Sequence, residues 1–262
     1  MVRIEGELVN GMIKELMAIY ENSRLNDGEP ECIFAETLIF NEGWLLRGTL
    51  NEWRGCRQSN FKFPFLPFPK GATIYSEAQV FTPFKKRANR DTAGETNTRV
   101  DGVVGSFSFP ETKSGLVLDK DATYLAVFEA KMYSGLSRGI KNIGNYSQVS
   151  RTIACIINSV IKTGISKDDN PIYYIVIYPN DNYKIDPAIY TKEFIETQIE
   201  ERISGYKQGG VIKNEFNDFE MQWKDILKRV NIEFITWEAV LDEIDDNDIN
   251  KFYELCKRFN RK

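Results

Sequence analysis

Apolar residues at helical spacing open the chain. Ile4, Leu8, Met12, Ile13, Leu16 and Ile19 recur near the 3.6-residue period and predict a helix over 3–20. The polar stretch ENSRLNDGEPE ends it. A second helical pattern covers about 34–54, where Leu38, Leu45, Leu46, Leu50 and Trp53 fall on one face. FKFPFLPFPKG (61–71) sets prolines among phenylalanines and reads as an ordered apolar loop. Strand patterns follow over 72–81, 98–109 and 124–131, then a strong helix over 145–162 and a buried strand, PIYYIVIYP, over 171–179. A basic, glycine-containing loop, 84–97, joins the first two strands, and a turn region around Gly115 joins the second to the third. Beyond 180 come a helix at 191–206, a Gly-Gly break at 209–210, a helix at 215–230, a short strand at 232–237 and a helical tail over 237–260.

Strands interleaved with long helices predict an α/β fold, a mixed central sheet flanked by helices, with extra N- and C-terminal helices. Nothing in the pattern demands a second domain. The whole of 1–262 reads as one unit, with a core over about 34–179, a helical N-terminal extension over 1–30 and C-terminal additions over 180–262.

Composition matters mainly through what it lacks. The chain has no histidine. That removes Ser-His-Asp hydrolases, Cys-His proteases, HExxH zinc enzymes and nucleases with a histidine base. Hydrolytic chemistry would have to run on carboxylates, lysine, tyrosine or a hard metal held by oxygen. The four cysteines, at 32, 56, 155 and 256, form no close-spaced metal clip, and Cys155 in TIACIINSV reads as core. The N-terminal helix mixes charges through its apolar positions, unlike a signal peptide, and no stretch approaches the ~20 apolar residues of a membrane span. A cytoplasmic protein without a membrane partner is expected. The net charge of −4 argues against general coating of nucleic acid but leaves a local basic groove open.

The strand YLAVFEAK focuses the chemistry. Alternation puts Leu125, Val127, Glu129 and Lys131 on one face and Tyr124, Ala126, Phe128 and Ala130 on the other. Both faces are apolar until the C-terminal end, so the strand is expected to be central, with its two charges needing a partner. An antiparallel hairpin about Gly115 sets Asp101 of RVDGVVG opposite Glu129. Opposed like charges destabilise a sheet unless a cation lies between them. Asp101, Glu129 and the Ala130 carbonyl are therefore candidate ligands for Mg²⁺, with Mn²⁺ as a substitute, and Lys131 is a candidate to orient water or stabilise a phosphoryl transition state. The competing structural reading is an ion pair at a solvated strand end.

RVDGVVG, then VFEAK, then a helix carrying YSQVSR resembles the PD-(D/E)XK nuclease superfamily, which includes restriction endonucleases and RecB-type exonuclease domains. The resemblance implies a restriction-endonuclease-like αβββαβ core over 34–179. It also implies a metal-binding Asp101 and the Glu-x-Lys element at Glu129, Ala130 and Lys131. Val100 stands where members usually carry proline. Several branches carry a helix glutamine that falls here on Gln148, and Arg151 lies one turn on, a candidate phosphate contact. A first-helix glutamate is also expected. Glu42, sharing a face with Leu38, Leu45 and Leu46, is preferred over Glu36. Glu77 in YSEAQVF borders the site or forms an edge ion pair. Lys85, Lys86, Arg87 and Arg90 of the basic loop, with Arg99, are candidate substrate contacts. The loop 61–68 is read as core, with base stacking as its other use.

The expected function is Mg²⁺-dependent hydrolysis of DNA. Cleavage of both strands in the restriction manner would call for a homodimer. The alternatives are a non-catalytic nuclease-fold module that binds nucleic acid or a protein, and a carboxylate hydrolase of another class, such as a glycosidase, which would work in EDTA.

Overall fold

The computed structural model describes residues 6–24, 35–55, 72–109, 115–139, 143–163, 170–210 and 214–261. The aromatic loop 61–71, Cys32, Cys56 and the turn residues 110–114 lie outside them. Five strands form one sheet in the order β1 (Thr73–Val80), β2 (Thr98–Gly105), β5 (Leu125–Ala130), β6 (Ile172–Tyr178), β7 (Val230–Thr236). The β1–β2 and β2–β5 pairs are antiparallel; β5–β6 and β6–β7 are parallel. The sheet is therefore mixed, as expected from the sequence. β7, read as an addition, is in fact its fifth strand. A small second ladder, β3 (Phe107–Ser108) with β4 (Val117–Leu118), fills the connection between β2 and β5. The stretch 98–109 is thus two strands, parted at Ser106, whose hydroxyl donates to Asp119 Oδ2 at 2.8 Å.

Each face of the sheet carries its own core. α4 (Gln148–Thr163), α5 (Lys192–Gln208) and α6 (Asn214–Arg229) cover one face, where Val127, Val103, Tyr174 and Val176 meet Val149, Ile153, Ile199 and Phe219. α1 (Gly6–Arg24), α3 (Glu42–Gly55), α7 (Trp237–Ile244) and α8 (Asn247–Asn260) cover the other, where Val104, Ala126, Phe128 and Ile177 meet Leu46, Leu50, Trp53 and Phe252. Every residue of β5 is buried, and its alternate side chains divide between the two cores as its sequence pattern requires. Gly102 lets α3 close on the sheet, since a Cβ there would stand 3.0 Å from Leu46 Cδ2 and 3.2 Å from Leu50 Cδ1. No described helix is long and apolar enough to cross a membrane.

Two helical stretches differ from their sequence reading. The pattern over 34–54 is two helices, α2 (Glu36–Ile39) and α3, broken at Phe40 and Asn41. Asn41 serves both ends: its Nδ2 donates to Thr37 O and Leu38 O, and its Oδ1 accepts from Trp44 N–H at 3.1 Å. A side chain that caps both ends competes with a continuous helix. Leu38 consequently falls outside the core at 65% exposure, so it does not share an inward face with Glu42. The tail over 237–260 likewise divides into α7 and α8. Asp245 closes α7 in the left-handed conformation (φ +50°), and the Asp246 side chain accepts from Asp248 and Ile249 N–H to start α8.

Candidate active site

The site sits where two strands part company. β2 and β5 pair from Gly105↔Leu125 to Gly102↔Phe128 and no further, in the register that sets Asp101 opposite Glu129. β2 continues alongside β1 to Thr98, and β5 alongside β6 to Ala130. The two strands thus fork at Asp101 and Glu129. Odd-numbered residues of β5 bond to β6, as when Leu125 N–H donates to Pro171 O and Lys131 N–H to Ile177 O. Even-numbered residues face β2, so Ala130 loses its ladder partner at the fork. The Asp101 side chain takes over the vacated donor: Ala130 N–H gives to Asp101 Oδ2 at 2.8 Å. The Ala130 carbonyl likewise lies beyond the last β2–β5 pair.

β1 and β2 change faces at this row. Val104 packs on the α3 side and Val103 on the α4 side, but Val100 is on the α4 side too, where strict alternation from Val104 would not put it. β1 makes the same change between Ile74 and Ala78. The register leaves Glu77 beside Asp101, and Glu77 has φ +56°, a conformation that costs a residue with a Cβ about 1 to 2 kcal/mol. Such strain concentrates at functional sites. Glu77 pairs with Arg47 at 3.8 Å, the edge ion pair named as one of its readings.

Glu129 is buried, and its Oε1 accepts from both Lys131 Nζ and Gln148 Nε2, the latter at 2.7 Å. Gln148 opens α4, and its backbone N–H is held by Ser137 O at 2.9 Å. The structure therefore brings Asp101, Glu129, Lys131 and Gln148 together. Burial acts against the Lys131 ammonium, yet the charge and hydrogen bond of Glu129, then Asp101 and Glu42, outweigh it and hold its pKa above the usual lysine value. Glu42 is half-buried at the start of α3 and close enough to act on Lys131, whereas Glu36 lies on the far side of the Asn41 break. Burial, and then the Glu129 carboxylate, push Asp101 up to about 7, against the pull of Ala130 N–H and Lys131.

Among the described residues, no three metal-ligating side chains converge on one point. A cation at the fork would take the second oxygens of Asp101 and Glu129, which have no hydrogen-bond partner among the described residues, with the Ala130 carbonyl. Mg²⁺ suits such a set, since it keeps several waters and needs few carboxylates.

A carboxyl that binds its proton more tightly in the folded protein contributes stability at acid pH that is lost as pH rises from about 4 to about 7. Melting temperature measured in EDTA is expected to fall across that window, and Asp101→Asn to flatten the fall. An equal slope in Asp101→Asn would refute the assignment.

The basic residues are placed differently from one another. Arg87 is held by Asp91 at 2.7 Å, donates to Tyr206 O at 2.9 Å and lies over the Tyr206 ring. Lys85 pairs with Glu215 at 3.2 Å. Arg151 donates to Glu95 Oε2 at 3.1 Å and to Thr96 O at 2.8 Å. Lys86, Arg90 and Arg99 are exposed. The same loop contains the buried Glu95, which also binds the buried Arg202 of α5 at 2.7 Å. Sequence reading missed that pair, because the two residues lie more than a hundred positions apart. Cys155 is buried, as expected, and burial raises its thiol pKa. Compared with known protein families, curated proteins and solved structures, the chain shows no match, so the reading of the fork rests on its own residues.

Proposed function

We propose that the chain is a Mg²⁺-dependent deoxyribonuclease with a D…ExK site and a restriction-endonuclease-like core. The observation that carries this reading is the fork itself: two carboxylates and a carbonyl without a facing strand share one opening with a half-buried lysine and a glutamine. The element order α3–β1–β2–β5–α4–β6 agrees with the αβββαβ core implied by the resemblance.

Asp101, Glu129 and the Ala130 carbonyl would hold the cation. When bound, it supplies Lewis-acid charge to the phosphate and eases deprotonation of water. Lys131 sets a positive charge beside the attack position and balances charge developing on the phosphate. Gln148 fixes the Glu129 carboxylate through one oxygen and leaves the other free. Glu129, then Asp101 and Glu42, keep Lys131 protonated. Lys86 and Arg99, both exposed, are the proposed phosphate contacts.

The test is cleavage of plasmid and oligonucleotide DNA by the purified protein. Cleavage with Mg²⁺ or Mn²⁺, loss in EDTA and loss in Asp101→Ala are expected. Activity that survives EDTA would transfer the site to another carboxylate chemistry. Inactive wild-type protein that still binds DNA would make the fold a binding module.

A further inference from the structure

Lys131 stands at the last rung of the β5–β6 ladder, and that rung is incomplete. Lys131 N–H donates to Ile177 O, and the parallel pattern then requires the N–H of residue 179 to donate to Lys131 O. Residue 179 is proline and has no N–H. The missing donor comes from the helix that follows β7. Trp237 Nε1–H donates to Lys131 O at 3.0 Å. Trp237 is fully buried and opens α7 directly after β7, and the register pairing Tyr178 with Thr236 puts Trp237 beside Pro179. Its indole thus spans the place where the proline cannot bond. Thr236 fixes the start of that helix, its hydroxyl accepting from Ala239 N–H at 3.2 Å.

The next carbonyls are held in the same manner. Asn182 is 4% exposed, and its Nδ2 donates to Met132 O at 2.8 Å and to Ser134 O at 3.0 Å. Asn182 is itself fixed within its turn, its N–H bonded to Pro179 O and its Oδ1 accepting from Lys184 N–H. Two buried side-chain donors, both from beyond residue 178, therefore hold the backbone at and just after the lysine.

We propose that Trp237, backed by Asn182, is a positioning residue for Lys131, and that the segment beyond β6 is part of the catalytic apparatus. This proposal rests on the nuclease reading for its activity readout. A displacement of about 1 Å at a catalytic group can cost about a hundred-fold in rate.

The test is Trp237→Phe, which keeps an aromatic ring in the core and removes the N–H donor together with the rest of the five-membered ring. Two readouts are used: steady-state DNA cleavage with Mg²⁺, and the Lys131 side-chain NMR resonance, assigned by its loss in Lys131→Met. In Trp237→Phe, kcat is expected to fall about ten- to a hundred-fold with KM within about two-fold. The Lys131 resonance is expected to move toward that of a free lysine. Unchanged kcat, a loss confined to KM, or an unmoved resonance in the folded variant overturns the proposal. If wild-type protein cleaves nothing, the nuclease reading fails and the resonance alone decides the positioning role. If Trp237→Phe does not fold, Asn182→Ser decides by the same readouts, and an unmoved resonance there overturns the proposal.

Discussion

Lys131→Met is expected to lower Mg²⁺-dependent DNA cleavage about a thousand-fold in a protein that still folds. The lysine side chain is 13% exposed and sits against a Glu129 side chain that is 3% exposed, so its charge acts with little screening by water. Charge aimed at the developing phosphate oxyanion from such a place is worth about a hundred- to a thousand-fold. Methionine preserves the length of the stem and removes only the ammonium. Without metal the variant leaves Glu129 with Gln148 as its one remaining donor among the described residues, and a buried carboxylate stripped of its cation destabilises the fold. Melting temperature in EDTA should therefore drop, and Mg²⁺ should restore much of it, because the cation replaces the lost charge. Initial rates on a labelled duplex and melts with and without Mg²⁺ check both halves. Rates within ten-fold of wild type would remove Lys131 from the chemistry.

Alternation legislated much of this site in advance. β5 alternates between two apolar faces until its end, so Glu129 and Lys131 had to emerge on one side, and the hairpin register followed from symmetry about Gly115. Gln148 was legible because a helix that follows a central strand starts near that strand's end. The fork was not legible. It coincides with a left-handed φ at Glu77 that no side-chain pattern announces, and with Asp101 taking the Ala130 N–H in place of a ladder carbonyl. The Asn41 break could have been read, since asparagine directly before an acidic first turn is a helix start. The role of Trp237 could not, because it joins a proline at the end of the neighbouring strand to a carbonyl two strands away.

The basic loop shows a different limit. A run of lysines and arginines reads as a surface for phosphate when its partners are distant in the chain. Here α5, an element assigned to the additions, provides them: Tyr206 stacks on Arg87 and donates its hydroxyl to Lys85 O at 2.6 Å, while Arg202 reaches Glu95. Part of the loop's charge is thus internal structure, while Lys86, Arg90 and Arg99 stay exposed.

Arg202→Met follows from that internal role as the substitution expected to cost the most stability. The Glu95 carboxylate is divided between two guanidinium groups, Oε1 to Arg202 at 2.7 Å and Oε2 to Arg151 at 3.1 Å. Arg202 also donates to Ala93 O and lies 4.5 Å from the Phe84 ring centre. Both Glu95 and Arg202 side chains are 3% exposed, so neither can turn to water when its partner is removed. Breaking a pair of this kind costs about 3 to 5 kcal/mol, because a charge is left buried. In a chain of this size that lowers Tm by on the order of 10 °C. Methionine keeps the aliphatic stem against Phe84, so the loss measures charge more than packing. Adding Glu95→Gln to Arg202→Met is expected to recover part of the loss, since the doubly substituted core holds no stranded carboxylate; the double-mutant cycle gives the coupling. A Tm within about 3 °C of wild type for Arg202→Met would mean that Arg151 alone satisfies Glu95. Arg151 would then be fully committed to the fold, in keeping with phosphate contacts made by Lys86 and Arg99 instead.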